Sequence, residues 1–511
     1  MGYRRCIDKY MYIFNCQIIS YFQTTRKDES RLTLLKPYTT APYYDEMFKT
    51  DGSLMNHYVH FNNNLKGFSS EELKEKHELA QQSFLRQGIT FTVYQDDTGT
   101  ERTMPFDFIP IIIPPTEWAR IEKGMIQRTT ALNHFLEDIY HQQNILNDGI
   151  IPKELVYNNP HYYDLIHQLP FPIQNHIFLA GIDLIRDENG HYCVLEDNLR
   201  NPSGLSYVYQ NRFVMRQVYP EFFQSHSLHT LENQLHYLRE AILDYVPDNH
   251  TGTQTNAVLL TPGIYNSAYY DHVFLAQKMG IELVEGSDLM VENDLVYMKT
   301  IYGLEKVDII YRRIDDDYLD PLAFNKDSLL GVEGLFNAFK AGNVSILNAI
   351  GNGVADDKAM YAYVPDMIRY YLNEDPIIPN VTTYFLNEKK QRDWVLEHLH
   401  QLVIKNVGAS GGYDMLIGPH ATAAQIQLFR EKIIAKPHQY IAQPTIKLSR
   451  APAYQNSQFY PCHIDLRVFV MSGKNTHVIP GGLSRVALKK GSLVVNSSQG
   501  GGGKDTWVLK S

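Results

Sequence analysis

The sequence predicts an α/β protein built from two or three packed domains, and three observations carry this prediction. The chain has 511 residues, more than the roughly 250–300 at which a single hydrophobic core stops growing. Apolar segments at 257–260, 273–280 and 307–311 alternate in a strand, helix, strand rhythm that is typical of βαβ units and a parallel sheet. Two further apolar segments flank Asn189-Gly190, a dipeptide that favours a tight β-hairpin turn.

Changes in composition divide the chain into four segments. Residues 1–65 are polar, tyrosine-rich and aperiodic, so we expect a poorly ordered or extended segment there. Residues 66–250 combine helices with the β-rich block that holds the hairpin. Residues 251–375 contain the βαβ units, and residues 376–511 return to short strands and glycine-rich loops.

Composition and charge indicate an ordinary globular protein, with 44% hydrophobic and 20% charged residues. The 47 basic and 57 acidic residues give a net charge of -10 without a dense basic run, which argues against a nucleic-acid partner. The four cysteines are scattered, as in proteins of a reducing cytoplasm. The apolar stretch at 11–21 is too short to span a bilayer. We therefore expect a cytoplasmic protein that has no membrane partner.

The hairpin turn predicts which residues face each other across the two strands. A two-residue turn at Asn189-Gly190 places Glu188 opposite His191. Counting outward from this pair places Asp183 directly opposite Glu196. The Cβ atoms of two such opposed residues lie ~4.5–5.5 Å apart.

This register predicts a metal site. Side chains alternate along a strand, so Asn198 shares the face of Glu196 and lies diagonally from Asp183. Two carboxylates and an amide oxygen then converge, and an all-oxygen set favours Mg²⁺, with Mn²⁺ as the other candidate, over zinc. The same spacing also fits a solvent-exposed hairpin edge whose acids never meet.

Two glycine-rich segments are candidates for phosphate binding. Lys405 ends a short apolar strand just before the first, at 408–412, whose amide groups could approach phosphate oxygens closely. A tight loop with a surface lysine fits that segment equally well. The second run, at 500–503 before Lys504, fails the P-loop pattern because Asp505 follows the lysine. We expect a flexible loop or lid there.

Four arginines lie in or beside short apolar strands, where a guanidinium is costly unless an anion meets it. They are Arg312, Arg313, Arg467 and Arg485. An ion pair between domains is an equally good interpretation for each of them.

Six segments together resemble the circularly permuted ATP-grasp family, and in particular the synthetase half of glutathionylspermidine synthase. The resemblance runs from about residue 85 to the C-terminus. The segments that carry it are residues 194–204, 283–289, 310–317, 355–359, 481–487 and 494–502. It implies a circularly permuted ATP-grasp fold with an inserted Rossmann-like βαβ domain, and an order in which the metal-ligand strands precede the phosphate-binding lysines.

The resemblance also implies a role for individual residues. It makes Asp183, Glu196 and Asn198 the ligands of magnesium ions that bridge the ATP phosphates. It gives phosphate contacts to Lys358 and Lys405. The remaining implied residues are the loop over the phosphates (Gly408, Ser410, Gly411, Gly412), the adenine-side hinge that runs from Gln443 to Ile446, and the phosphate-stabilising Arg485.

One position departs from the family pattern. The synthetase relatives carry an arginine two residues before the first metal aspartate, and this chain has Gly181 there. Arg200 is a candidate to supply the missing charge.

The resemblance implies an ATP-dependent ligase that joins a carboxylate to an amine through an acyl-phosphate and releases ADP and phosphate. Small-molecule substrates, such as amino acids or a peptide, are expected, and the βαβ domain would supply an acceptor pocket with Glu285, Arg312 and Arg313 as contacts. A non-catalytic ATP-binding sensor or scaffold on the same fold is the main alternative. A metal-dependent hydrolase would require a histidine-rich or two-metal cluster, which the sequence lacks.

Overall fold

A computed structural model describes residues 40, 42–95, 98–169, 175–408, 414–488, 495 and 501–511. Its α-helices are α1 (Val59–Leu65), α2 (Ser70–Arg86), α3 (Pro115–Tyr140), α4 (Asn144–Asn147), α5 (Lys153–Tyr157), α6 (Leu205–Val218), α7 (Gln234–Leu243), α8 (Tyr269–Met279), α9 (Leu335–Lys340), α10 (Lys358–Tyr361), α11 (Val364–Leu372), α12 (Lys389–His398) and α13 (Ala423–Ala435). Within these ranges, no helix combines the length and the apolar character that crossing a bilayer requires. The cytoplasmic location stays a prediction.

Within the described ranges, the β-strands belong to five sheets. They are β1 (Thr90–Gln95), β2 (Thr98–Thr103), β3 (Phe106–Ile113), β4 (Leu179–Arg186), β5 (Tyr192–Asn198), β6 (Ala257–Leu260), β7 (Glu282–Val284), β8 (Leu289–Glu292), β9 (Leu295–Thr300), β10 (Gly303–Val307), β11 (Ile309–Arg312), β12 (Ser345–Leu347), β13 (Tyr384–Phe385), β14 (Leu402–Asn406), β15 (Met415–Ile417), β16 (Tyr440–Pro444), β17 (Arg450–Gln455), β18 (Gln458–Ser472), β19 (Thr476–Val478), β20 (Leu483–Val486) and β21 (Gly502–Val508).

The largest sheet has the order β3-β21-β20-β18-β4-β5, with β17 and β19 also paired to β18. Neighbouring strands within this sheet run antiparallel to each other, except that β21 and β3 run parallel. Helix α3 covers this sheet and contacts β18 and β19. Helix α3 starts at Pro115, at a position whose N–H would have no acceptor within the helix, so the proline costs no hydrogen bond. Its apolar residues face the core. The sheet thereby holds the hairpin strands β4 and β5 rigidly.

A second sheet is fully parallel, with the order β12-β11-β6-β7. Helix α8 crosses from β6 to β7 and ends at Gly280, whose left-handed backbone (φ 63°) suits a glycine. This is the βαβ unit that the alternating apolar segments predict. The order places β11 and β7 on opposite sides of β6, so the connections change direction between β6 and β11.

The third sheet has four antiparallel strands in the order β13-β16-β14-β15. Helices α12 and α13 pack around it with their own apolar cluster, which includes Val395, Ile404 and Ile433. Strand β14 carries Lys405. Two small antiparallel sheets, β1-β2 and β10-β9-β8, complete the fold.

Two expectations from the sequence are wrong. Residues 42–65 are not an extended segment, because residues 59–65 form α1 and Met47, Tyr58 and Phe61 are buried in the core. Residues 502–504 are not part of a lid but belong to the buried strand β21. There the Lys504 ammonium is fully buried and donates to Asp107 and to the Pro452 carbonyl. The boundaries of the four segments stay predictions.

Candidate functional site

The hairpin brings the predicted acids together, although by a different turn. Asp183 faces Glu196, and Gly181 faces Asn198. The loop at the tip contains three residues rather than two, because the Asp187 amide donates to the His191 carbonyl at 3.0 Å. Gly190 has φ 83° and takes the left-handed position that such a loop requires.

A β-bulge at Leu195 compensates for the extra turn residue. Leu184 pairs with Val194, while the next residue, Asp183, pairs with Glu196, which leaves Leu195 unpaired. The bulge also reorients the strand. Val194 and Asp197 are buried, whereas Glu196 and Asn198 line a cavity.

The cavity has a volume of about 960 Å³ and lies where the three larger sheets meet. One end is formed by the hairpin, α10 and the end of β14. The other end is formed by the loops that follow β6 and β11. The lining residues used below are Glu196, Asn198, Arg200, Asn201, Asn266, Ser267, His272, Arg313, Asp315, Asp356, Lys358, Gly408, His438, Gln439, Arg467 and Arg485.

Two arginines hold the buried Asp183 carboxylate. Arg467 Nε and Nη2 lie 2.6 and 2.9 Å from its two oxygens, and Arg485 Nη2 lies 2.7 Å from one of them. Burial raises the pKa of Asp183, but Arg467 and Arg485 outweigh burial and lower the pKa to about 2. Arg485 also donates to Asp465 at 2.8 and 2.5 Å. The two guanidinium groups are therefore fixed in place where they line the cavity.

This arrangement bears on the predicted metal site. Both oxygens of Asp183 already accept from arginines, and among the described residues no group of three His, Cys, Asp or Glu could hold a metal. The Asn198 amide nitrogen donates to the Gly181 carbonyl at 3.1 Å, which leaves its oxygen as the acceptor atom. Mg²⁺ commonly takes only one or two protein oxygens beside substrate phosphates. Glu196 and Asn198 fit that role, and Asp183 as a third ligand stays a prediction.

The two predicted phosphate lysines lie beside Glu196. Lys358 Nζ is 3.1 Å from a Glu196 oxygen, at the start of α10, where Asp357 caps the helix by accepting from two backbone amides. Burial, and then repulsion from Lys358, lower the pKa of Lys405, while Glu196 opposes this shift. A phosphate group would compensate both lysines, as the sequence predicts.

Arg467 packs across Gly181, the position that departs from the family pattern. A Cβ atom on Gly181 would lie 2.9 Å from Pro202 Cβ and 3.2 Å from Arg467 Cδ. Arg467 comes from β18, which pairs with β4. Arg200 also lines the cavity, but its Nε donates to Asp356 at 2.9 Å. Sequence reasoning noted Arg467 without giving it this place, because no local pattern shows that β18 lies beside β4.

The loop and hinge residues are only partly visible. Gly408 lines the cavity, and its amide donates to the Asn406 side chain at 3.0 Å. Ser410, Gly411 and Gly412 lie outside the described residues.

The predicted adenine-side segment lies at the end of β16. The Gln443 amide is buried and donates to Thr383 at 3.0 Å, and Ile446 follows the strand. The cavity is lined instead by His438 and Gln439 from the turn before β16. The roles of these hinge and loop residues stay predictions.

Two of the predicted acceptor contacts have structural roles. The buried Arg312 donates to the Asn348 and Ile314 carbonyls at 2.9 and 2.8 Å and to Asp316 at 3.0 Å, so its charge is satisfied within the fold. Glu285 is exposed and caps a short turn at 286–288. Arg313, in contrast, lines the cavity.

Comparison with known proteins identifies the family of this chain. Residues 110–487 match the family model described as circularly permuted ATP-grasp type 2. The chain belongs to this family. Membership makes an ATP-dependent ligase the general class of function, and ATP-grasp ligases generally use ATP and Mg²⁺.

Several relatives of this family align along most of the chain. An uncharacterized protein of Synechocystis sp., sll0335, is 46% identical over 93% of this chain and 99% of its own length. An uncharacterized protein of Mycobacterium tuberculosis, Rv2411c, is 46% identical over 92% of this chain and 84% of its own. A protein of Frankia alni with the provisional name glutamate–cysteine ligase 2-3 is 40% identical over 94% of this chain, but only 55% of its own length is covered.

A solved structure shares the fold. It is a glutathione synthetase-like effector from Globodera pallida in apo form, with a TM-score of 0.55 and 12% identity over 86% of this chain and 98% of that one. At this identity the likeness concerns the fold alone.

Proposed function

We propose that this chain is an ATP-dependent carboxylate–amine ligase that forms an amide or peptide bond through an acyl-phosphate and releases ADP and phosphate. The observation that carries the proposal is the convergence of four cationic side chains on the paired carboxylates of the hairpin. They are Lys358, Lys405, Arg467 and Arg485. Such a cluster is suited to the charge of a transferring phosphoryl group.

The proposal divides the cluster between two tasks. Lys358 and Lys405 bind the phosphates of ATP, with the loop that begins at Gly408 covering them. Glu196 and Asn198 hold Mg²⁺, which neutralises phosphate charge when it is bound. Arg467 and Arg485 stabilise the phosphoryl group in transfer, since Asp183 and Asp465 hold them rigidly.

The chemical steps follow from this placement. A substrate carboxylate oxygen attacks the γ-phosphorus of ATP in line, the bond from that phosphorus to the bridging oxygen breaks, and ADP leaves. The amine nitrogen of the second substrate then attacks the acyl carbon, the bond to the phosphate oxygen breaks, and the nitrogen loses a proton. Arg467 takes the place that Gly181 leaves vacant, because its side chain already packs there. We propose that Arg200, tied to Asp356, acts on the neighbouring substrate instead.

An assay of phosphate release tests the proposal. Wild-type protein is mixed with MgATP and a pool of amino acids and short peptides, phosphate is measured, and products are identified by mass. We expect release that depends on the added substrates and a product mass equal to two substrates minus water. ATP binding without substrate-dependent release would favour the sensor alternative.

The variant Glu196→Gln tests the magnesium assignment. The Glu196 side chain is about one-third exposed, and its ion pair in the described part of the chain is with Lys358, so we expect unchanged thermal stability and loss of at least about 100-fold in turnover. Glu188→Gln, at the hairpin tip, is the matched control and should behave as wild type. Full activity of Glu196→Gln would show that the hairpin does not hold the metal.

A further inference from the structure

Two consecutive arginines at the end of β11 are held in opposite ways. All three nitrogens of the Arg312 guanidinium donate to the protein. Arg313 is 3% exposed, yet within the described part of the chain its Nε has no hydrogen-bond partner. Its other contacts are weak: Nη1 donates to the Tyr311 hydroxyl at 3.1 Å, and Nη2 donates to the Asn201 carbonyl at 3.4 Å.

The nearest carboxylate does not satisfy Arg313 either. Asp271 Oδ2 forms an ion pair with Arg313 Nη2 at 3.6 Å, beyond hydrogen-bond distance, and this oxygen also has no hydrogen-bond partner among the described residues. The other Asp271 oxygen accepts from the Ser206 amide at 2.8 Å. A buried guanidinium that keeps a free donor beside a cavity is costly unless a ligand accepts from it.

The N-terminus of α8 faces the same end of the cavity. Asn266, Ser267 and Ala268 line it, and no side chain caps the helix at Ala268. The first amides of a helix and its dipole favour an anion. Burial and Arg313 keep the pKa of His272, in the first turn, far below its usual range, so His272 is neutral. Arg313 therefore supplies the positive charge at this point.

The sheet topology marks the same location. Arg313 follows β11 and Pro262 follows β6, at the carboxyl ends of two parallel strands between which the connections change direction. Open α/β sheets bind their ligands in the crevice at this point. Arg467 Nη1 donates to the Ser203 carbonyl at 3.2 Å, two residues from the carbonyl that Arg313 contacts. The crevice therefore adjoins the phosphate-handling end.

We infer that this end of the cavity is a carboxylate-binding subsite, formed by Arg313 and the N-terminus of α8, for a substrate that keeps a free carboxylate through the reaction. This inference rests on the proposed function and identifies the amine-bearing substrate as an amino acid or a short peptide. Asp315 lines the same end and is the counter-charge for its ammonium group. A polyamine would require carboxylates alone and would leave the Arg313 Nε donor without an acceptor among the described residues.

Binding measurements with and without the carboxylate test the subsite. The probes are the twenty amino acids and the glycine-containing dipeptides, each compared with its C-terminal carboxamide. The protein is saturated with a non-hydrolysable ATP analogue and Mg²⁺ before each probe is added. We expect at least one free acid to raise the melting temperature and its carboxamide not to do so. In Arg313→Gln the Kd for that acid should rise roughly 30-fold or more, while the Kd for the nucleotide stays unchanged. Arg369→Gln, an exposed arginine on α11, is the matched control and should bind as wild type.

The outcomes separate the subsite from the ligase proposal. Acid binding that needs Arg313, without phosphate release, supports the subsite and contradicts the ligase. Phosphate release whose KM for the amine substrate is the same in Arg313→Gln supports the ligase and overturns the subsite. Equal binding of acids and carboxamides, or binding of no probe to the wild type, would each overturn the subsite.

Discussion

Lys358 and Lys405 flank the same glutamate but differ in their surroundings. Lys358 has a Glu196 oxygen 3.1 Å from its ammonium group. Lys405 is more deeply placed, and burial followed by repulsion from Lys358 lowers its pKa. It therefore loses its proton at a lower pH than an ordinary lysine does, and bound phosphates should restore the proton.

This difference predicts the pH dependence of nucleotide binding. Affinity for MgATP should fall as the pH rises through the lowered pKa of Lys405, because the neutral amine no longer attracts phosphate. In Lys405→Arg the charge persists to a pH above 12, so the alkaline fall should move to higher pH. Titration of MgATP binding between about pH 7 and 10 measures both curves. Coincident curves would contradict a phosphate contact by Lys405.

At the scale of elements, the contact between β4 and β18 decides how the arginines reach the site. Because Gly181 has no side chain, it leaves a space on β4, and the Arg467 side chain from β18 occupies this space. The arginine that synthetase relatives carry at this position and Arg467 could not both fit, since even an added Cβ atom would lie 2.9 Å from Pro202 Cβ. One strand thus lacks a side chain so that its neighbour can supply one.

Substitution of Gly181 tests this relation. Gly181→Ala should displace Arg467, lower turnover strongly and cost about 1–3 kcal/mol in unfolding free energy. If the loss acts through Arg467, then Arg467→Ala and the double variant should have equal turnover, because the two changes remove one interaction. Kinetics and denaturant unfolding of the three variants measure this. Normal turnover in Gly181→Ala would show that the close packing is unimportant.

Strand β21 gives a second prediction at this scale. Lys504→Met removes the partner of the buried Asp107 carboxylate and should lower the unfolding free energy by about 3–5 kcal/mol. The KM for ATP of the folded protein should not change, since the ammonium lies in the core. The double variant Asp107→Asn/Lys504→Met should recover part of the stability in denaturant unfolding. A raised KM for ATP with normal stability would instead support a lid.

The sequence predicts local pairings better than distant ones. Asp183 and Glu196 follow from one turn signal and strand alternation, although the extra turn residue and the bulge at Leu195 offset each other. Arg467 could not be placed in this way, because 284 residues separate it from Asp183 and strand order in an antiparallel sheet has no local signature. Lys504 resembled a loop lysine because its glycine neighbours suit both loops and a crowded strand.

At the scale of the whole molecule, the described residues 42–65 belong to the fold. Phe61 on α1 packs against Phe222 and Trp507, with ring centroids 4.6 and 6.1 Å away. Arg186 at the end of β4 donates to Glu46 at 3.1 Å. The site strands are thereby tied to an element that lies far from them in sequence.

Truncation of one side chain tests this connection. Phe61→Ala should cost about 3–5 kcal/mol and lower the melting temperature by several degrees, because it empties the space beside the rings of Phe222 and Trp507. Val59→Ala on the same helix is the control, since Val59 is 40% exposed. Calorimetry of both variants measures the difference. An unchanged melting temperature in Phe61→Ala would mean that α1 is dispensable.

The bulge at Leu195 separates the spacing of the two acids from their geometry. Two residues, Leu195 and Glu196, oppose the single Asp183, and both point away from the buried Val194. If Leu195 were deleted, Glu196 would follow Val194 directly, and strand alternation alone would keep Glu196 and Asn198 on the cavity side. A homologue shorter by this one residue would therefore present the same oxygens, although one residue fewer would separate its two acids. A search pattern with a fixed spacing between the acids would miss such a homologue.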